Sequence, residues 1–91
     1  MALTVSREFE IANRLGLHAR AAAQLVHLAN RYASEIWICK DGVEVNGKSI
    51  MGVLMLAAPR ESRILVRAAG PDAEQAVTAI GDLIAAKFGE E

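Results

Sequence analysis

The sequence predicts an α+β fold: an open-faced two-layer sandwich, in which a four-stranded antiparallel sheet is covered on one face by three helices. Hydrophobic residues recur with a period of two in four short segments and with a helical period in the others. The order is strand, helix, strand, strand, short helix, strand, helix. The chain has 91 residues and is 53% hydrophobic, which is enough for a single domain over residues 1–91 with one core.

The first strand and the first helix are separated by a change of hydrophobic period. Near the N-terminus apolar and polar residues alternate, although Arg7 interrupts an apolar row that consists of Leu3, Val5, Phe9 and Ile11. From His18 to about Arg31 the period becomes helical. The apolar face of this predicted helix consists of Ala22, Leu25, Val26 and Ala29.

A hairpin and a short helix are predicted in the middle of the chain. Residues 35–40 are rich in β-forming side chains, Asp41-Gly42 is typical of a type I′ turn, and residues 43–45 alternate after it. Ser49 is a favourable N-cap for a short helix from Ile50 to Leu56.

The C-terminal third is predicted to hold one more strand and one more helix. Residues 63–68 alternate, with Ile64 and Val66 facing inward. The segment Gly70-Pro71-Asp72 is expected to open the last helix with proline in its first turn. The expected apolar stripe of that helix consists of Ala73, Ala76, Val77, Ile80, Ile84 and Phe88.

Composition excludes several classes of protein. Ten basic against eleven acidic residues give a net charge of −1, which lacks the basic field of a nucleic-acid-binding protein. The lone Cys39 cannot form an internal disulfide. The N-terminal residues do not resemble a signal peptide, and no apolar run approaches the roughly 20 residues of a membrane span. We therefore expect a cytoplasmic location without membrane insertion.

One motif suggests nucleotide binding. The segment Gly42–Ser49 matches the phosphate-loop pattern G-x-x-x-x-G-K-[ST] letter for letter. The residues between the two glycines include Val43-Glu44-Val45, which favour a strand over a loop around phosphates. No later strand ends in an aspartate that would hold magnesium. Nucleotide binding is kept as a remote alternative, which an ATP-binding titration would test.

The residue types that bind metals are not grouped in a ligand pattern. His18 and His27 lie nine positions apart, and Cys39 has no nearby cysteine partner. No metal site is predicted. His27 is interpreted as a solvated residue on the polar face of its helix, and Trp37 and Cys39 as strand residues that cover the sheet.

His18 is the strongest candidate for chemistry because it precedes a helix. The first turn of a helix has unpaired N–H groups and a positive dipole end, which together bind anions such as phosphate. The same positive end helps to keep an imidazole neutral, and a neutral ring nitrogen can attack phosphorus. Arg20, two residues later, could bind phosphoryl oxygens with its guanidinium. A histidine that merely begins a helix remains the alternative at this stage.

Three segments then carry a resemblance to a known family. They are Asn13-Arg14-Leu15-Gly16-Leu17-His18-Ala19-Arg20, Gly47-Lys48-Ser49-Ile50-Met51-Gly52-Val53-Leu54 and Ala69-Gly70-Pro71-Asp72-Ala73. They resemble the active-site signature, the regulatory serine region and the approach to the last helix in HPr, the histidine-containing phosphocarrier family of the bacterial phosphoenolpyruvate-dependent phosphotransferase system. The resemblance covers nearly the whole chain in the same order, and that family has the fold predicted above.

The resemblance implies a role for each of several residues. His18 would carry a phosphoryl group on Nδ1, Arg20 would assist its transfer, and Ser49 would be phosphorylated by a regulatory serine kinase while also capping its helix. The remaining expected contacts with partners are Leu17, Gln24, Ile50, Met51 and Leu54. One departure is Ala21, which stands where the family has proline and bears on how rigidly the active-site turn is held.

The resemblance also implies a function and a set of partners. The chain would be a covalent relay, not a free-standing enzyme, and would need no cofactor. It would accept a phosphoryl group from phosphorylated enzyme I and pass it to IIA-type acceptors of sugar transport, in short-lived contacts and as a monomer. The nearest alternative is a nitrogen-branch or regulatory member of the same family, which signals by its phosphorylation state.

Overall fold

The computed structural model describes residues 3–90 and contains seven regular elements followed by one 3₁₀ turn over Lys87–Gly89. The strands are β1 (Leu3–Glu10), β2 (Glu35–Lys40), β3 (Val43–Asn46) and β4 (Arg63–Gly70). The helices are α1 (Ala19–Ala29), α2 (Ile50–Met55) and α3 (Ala73–Ala85). The predicted order of elements is therefore confirmed.

The four strands form one antiparallel sheet in the order β1-β4-β2-β3. β4 lies between β1 and β2 and pairs with β1 along its whole length, from Leu3 opposite Gly70 to Glu10 opposite Arg63. β2 and β3 form the predicted hairpin. Asp41 and Gly42 at its turn have φ of 51° and 82°, as a type I′ turn requires.

The core lies between the helices and one face of the sheet. Alternate residues of the two central strands are buried on this face: Ile36, Ile38, Ile64, Val66 and Ala68. They pack against buried residues of the three helices, among them the four residues predicted for α1. The opposite face is less buried, and there Arg67 stacks on the Trp37 ring at 4.2 Å from its centroid. The sheet therefore has one covered and one open face, as expected.

Arg7 interrupts the apolar row of β1 for a structural reason. It pairs with Val66, whose side chain is buried on the helix-covered face, so Arg7 points to the same side of the sheet. β1 is an edge strand, and the guanidinium leaves the core there to reach Glu74 at the start of α3, at an N–O distance of 3.8 Å. An exposed charge at the edge replaces an apolar contact.

The beginning of α3 differs from the sequence prediction. The helix starts at Ala73, so Pro71 lies before the N-cap and not in the first turn. The N-cap Asp72 does not cap its own helix. Its carboxylate accepts hydrogen bonds from the N–H groups of Ala33 and Ser34, both at 2.9 Å, and from the Ser34 hydroxyl at 2.6 Å. These bonds, the Ser34 hydroxyl above all, lower the pKa of Asp72.

Phe88 is buried as predicted, but it is not part of the last helix. α3 ends at Ala85, and both Lys87 and Phe88 have positive φ, 57° and 55°. The chain therefore turns back, and Phe88 enters the core from this turn with 2% of its surface exposed. None of the helices within residues 3–90 is long and apolar enough to cross a membrane.

Candidate functional site

His18 is the N-cap of α1. Its backbone is extended, with φ −75° and ψ 179°, and its side chain does not bond the first turn of the helix. The N–H groups of that first turn have no carbonyl partner within the helix. The His18 side chain is 25% exposed, so the ring is accessible but held. The placement at the positive end of a helix is the one predicted from the sequence.

The ring of His18 is held by the C-terminal segment. Its Nε2 lies 2.8 Å from Oε2 of Glu90, and the same oxygen accepts a hydrogen bond of 2.8 Å from Nδ2 of Asn13. Asn13 is fully buried and also donates to the carbonyl oxygen of Gly16 at 2.7 Å. The bond from Asn13, the bond from His18 and a further one from the Leu15 N–H lower the pKa of Glu90. The Glu90 carboxylate beside His18 is therefore ionised at neutral pH.

The loop before His18 packs against the segment that follows α2. Gly16 has φ +67°, and a side chain on it would place Cβ 2.5 Å from the carbonyl oxygen of Ala58. The next residue, Leu17, donates its N–H to that oxygen at 2.8 Å. Leu17 was expected among the contacts with partners, but its side chain is 4% exposed and belongs to the core. The loop turns inward at Gly16, and this turn buries Leu17.

Arg20 and Gln24 lie along one side of α1. They line an open groove of about 430 Å³, whose other lining residues are Ala23, His27, Leu28, Arg31 and Leu83. Arg20 is exposed, and its guanidinium makes no hydrogen bond or ion pair with any residue of the described range 3–90. His27 is exposed, as predicted. Arg20 lies two residues after His18, and within residues 3–90 the hydrogen-bond partner of the His18 ring is Glu90, not Arg20.

Ser49 is the N-cap of α2, as predicted. Its hydroxyl accepts a hydrogen bond of 3.1 Å from the Gly52 N–H, and its carbonyl accepts the Val53 N–H at 3.0 Å. Of the residues that follow, Val53 and Leu56 are buried in the core. The Ser49 side chain is half-buried and lies at the beginning of a helix with an exposed apolar face.

The exposed face of α2 consists of Ile50, Met51 and Leu54, which are 44%, 74% and 38% exposed. The expected exposure of these three residues is confirmed, and we call them the α2 patch. Met55, which was not expected there, is also exposed. α2 packs against α1. The α2 patch therefore lies on the helix next to α1, whose N-cap is His18.

The phosphate-loop motif does not form a phosphate loop. Val43–Asn46, the residues between its two glycines, form the strand β3 and pair with β2. These backbone N–H groups are therefore arranged as in a sheet and do not surround an anion. Among residues 3–90 there is no group of three or more His, Cys, Asp or Glu side chains that could hold a metal ion.

Two residues of the site were not assigned a role from the sequence. Asn13 lies in the segment that resembles the active-site signature, and this position is the one signal for it in the sequence. Glu90 lies 72 positions after His18, and no local pattern connects the two residues. Only the turn after α3 brings Glu90 to the loop before α1.

Comparisons with known proteins give one consistent result over most of the sequence. Residues 5–86 match the PTS-HPr family, which is described as "PTS HPr component phosphorylation site". The phosphocarrier protein HPr of Neisseria meningitidis serogroup A is 44% identical over 86 residues, or 94% of this chain and 97% of that protein.

Solved structures extend the agreement to the fold. The crystal structure of HPr-C-His from Thermoanaerobacter tengcongensis matches with a TM-score of 0.93 at 45% identity, over 96% of this chain and 98% of that one. A crystal structure described as an HPr dimer from the same organism matches with a TM-score of 0.73 at 47% identity, over 90% and 94% of the two chains. The predicted fold class is confirmed.

Proposed function

Because this chain belongs to the PTS-HPr family of phosphocarrier proteins, we propose that it relays a phosphoryl group from phosphorylated enzyme I to IIA-type acceptors through His18. The observation that carries this proposal is the place of His18, partly exposed at the N-cap of α1. Residues 1–91 act in this role as one phosphocarrier domain in the cytoplasm.

The proposed reaction is a covalent transfer to nitrogen and back. The lone pair of Nδ1 attacks the phosphorus atom of the phosphorylated donor, and the bond from phosphorus to the donor atom breaks with its electron pair left on the donor. The acceptor then takes the phosphoryl group from Nδ1 in the same way. The imidazole of His18 is neutral at the beginning and at the end of each cycle. The chain is therefore regenerated unchanged and acts as a carrier.

The helix end and Arg20 support the phosphoryl group in this proposal. Unpaired N–H groups of the first turn of α1 and the positive end of its dipole favour the dianionic group on His18. Arg20 is exposed in that turn without a partner among residues 3–90, and its side chain is long enough to bind phosphoryl oxygens when a partner docks. Ala21 keeps a backbone N–H where the family has proline.

The α2 patch and Gln24 form the proposed docking surface. An apolar centre next to the reacting side chain suits short contacts, because a few desolvated residues supply most of the affinity of a small interface. Leu17 is excluded from this surface because it is buried.

The oligomeric state is a separate question. The HPr dimer among the similar structures weighs against the monomer expected from the sequence, and analytical ultracentrifugation of this chain would determine its oligomeric state.

Ser49 is proposed as a regulatory site on the same surface. It begins the helix that carries the α2 patch, so a phosphate on its hydroxyl would add about two negative charges beside the docking residues. The helix end tolerates this charge, and the effect would be on docking. A serine kinase specific for this family would be the modifying partner.

A reconstituted transfer assay tests the proposed function. With enzyme I and labelled phosphoenolpyruvate, wild type and His27→Ala should become labelled, and His18→Ala should fold but accept no label. His27 is the matched control because it lies on the same helix and is exposed. Labelled His18→Ala would refute the role of His18. Offering the labelled protein to sugar-specific and nitrogen-branch IIA proteins would then separate the two kinds of acceptor.

A further inference from the structure

The chain turns back sharply after α3. Three consecutive residues have positive φ: Lys87 at 57°, Phe88 at 55° and Gly89 at 79°. Residues other than glycine rarely adopt this left-handed conformation. Burial of Phe88 in the core holds this turn in place. Glu90 leaves the turn in an extended conformation, with φ −75° and ψ 154°. The turn therefore places one particular side chain, that of Glu90, against the loop before α1.

The Glu90 carboxylate is integrated into that loop. Its side chain is 10% exposed, and one oxygen lies within 2.8 Å of both Nδ2 of Asn13 and Nε2 of His18. Asn13 is itself fixed, since the same amide group also donates to the Gly16 carbonyl. A carboxylate held from two sides has a defined position, and so does the imidazole ring that it contacts.

The chemistry of the contact determines which nitrogen of His18 carries the hydrogen. An ionised carboxylate only accepts hydrogen bonds, so Nε2 must donate to Glu90 across the 2.8 Å contact. A neutral imidazole has a single N–H, and when this is on Nε2, Nδ1 has the free lone pair. Only the tautomer with the hydrogen on Nε2 leaves Nδ1 able to attack phosphorus.

We propose that Glu90 is a positioning residue for phosphoryl transfer, which holds His18 in the tautomer and orientation that make Nδ1 the nucleophile. This inference rests on the proposed function. During attack, Nδ1 gains a bond to phosphorus while Nε2 keeps its hydrogen, so the ring becomes positively charged. The negative carboxylate next to Nε2 offsets that charge. When the acceptor takes the phosphoryl group, the bond electrons return to Nδ1 and the ring is neutral again. No proton has to move.

The tautomer can be measured without any partner protein. At a pH where the ring is neutral, the ¹⁵N chemical shifts of His18 should report a hydrogen on Nε2 in the wild type. In Glu90→Ala the two tautomers should become mixed. Glu90→Gln keeps a hydrogen-bond acceptor without the charge, so its tautomer populations should lie between those of the wild type and of Glu90→Ala. Glu74→Gln, which removes a carboxylate at the opposite end of α3, is the matched control and should resemble the wild type.

The transfer rate provides the second measurement. Glu90→Ala should accept the phosphoryl group from enzyme I at least about tenfold more slowly at saturating donor, as expected when the group that orients a reacting histidine is lost. Its apparent affinity for enzyme I should be that of the wild type, whereas its Tm should fall because the buried Asn13 amide loses a hydrogen-bond partner. Wild-type tautomer shifts and a wild-type rate in Glu90→Ala would overturn the inference. Failure of the wild type itself to be labelled would instead refute the proposed function.

Discussion

Leu17 donates its backbone N–H to the carbonyl oxygen of Ala58 at 2.8 Å. This single bond joins the loop that leads to His18 to the segment that follows α2. The position of the reacting side chain therefore depends on a contact between parts of the chain about forty residues apart, as well as on the start of its own helix. Gly16 makes this approach possible because it has no side chain.

Gly16→Ala should destabilise the protein and disturb the site. The substitution adds a Cβ 2.5 Å from the Ala58 carbonyl oxygen at a residue with φ +67°. A left-handed alanine costs about 1–2 kcal/mol, and forced repacking adds about 1–3 kcal/mol. Urea unfolding measures the loss, and transfer from enzyme I should also be slower because the His18 loop is displaced.

Gly42→Ala is the control for that substitution. Gly42 has a similar φ of +82°, but nothing lies within 4 Å of the added Cβ. It should therefore cost the conformational energy alone, about 1–2 kcal/mol, and leave transfer unchanged. Equal losses of stability for the two variants would show that the approach of Gly16 to Ala58 is not tight.

Met51→Asp should slow transfer without unfolding the protein. Met51 is 74% exposed in the α2 patch, so the free energy of unfolding should change by less than about 0.5 kcal/mol. The rate of transfer from enzyme I at limiting concentration should fall at least about fivefold, since a central interface residue contributes more than about 1 kcal/mol. Val43→Asp introduces the same charge at an exposed position on β3 and should transfer normally. If both variants were equally slow, the patch would have no special part in docking.

Ser49 should show two separate effects. Ser49→Ala removes the hydroxyl that accepts the Gly52 N–H and should cost about 1 kcal/mol of stability while the carrier stays competent. Ser49→Asp keeps a capping oxygen and should preserve stability but slow phosphorylation of His18, by a factor that shrinks as salt is added. Stopped-flow or quench-flow transfer at two ionic strengths measures this. Equal rates for wild type and Ser49→Asp at low salt would leave Ser49 as a cap without a regulatory role.

Acid should weaken the fold through Asp72. Hydrogen bonds from Ser34 and Ala33 lower its pKa in the folded state, so the unfolded state binds more protons in acid. The stabilisation is therefore complete above the pKa of the unfolded state and is lost as pH falls below about 4. Asp72→Asn should lower the Tm at neutral pH, and its difference from the wild type should shrink as pH falls through that range. A difference independent of pH would mean that the Asp72 charge is not involved.

Local patterns were sufficient for most of the elements. The helical period of α1 and the alternation in β4 predicted which residues are buried, and Asp41-Gly42 predicted the hairpin turn. Ser49 was identified as an N-cap because capping depends on neighbouring residues alone. His18 could be placed at the start of a helix for the same reason. Such features are determined by interactions within a few residues along the chain.

Tertiary contacts decided the rest. Leu17 had been expected on the surface, and its burial follows from packing of its loop against the segment after α2. Asp72 binds the loop before β2 instead of capping its own helix, because the fold brings the N–H groups of Ala33 and Ser34 within 2.9 Å of its carboxylate oxygens. Glu90 reaches His18 only because burial of Phe88 reverses the chain after α3. The sequence by itself thus determined which histidine begins a helix, whereas long-range packing decided which groups surround it, because hydrogen bonds between distant residues leave no period in the sequence.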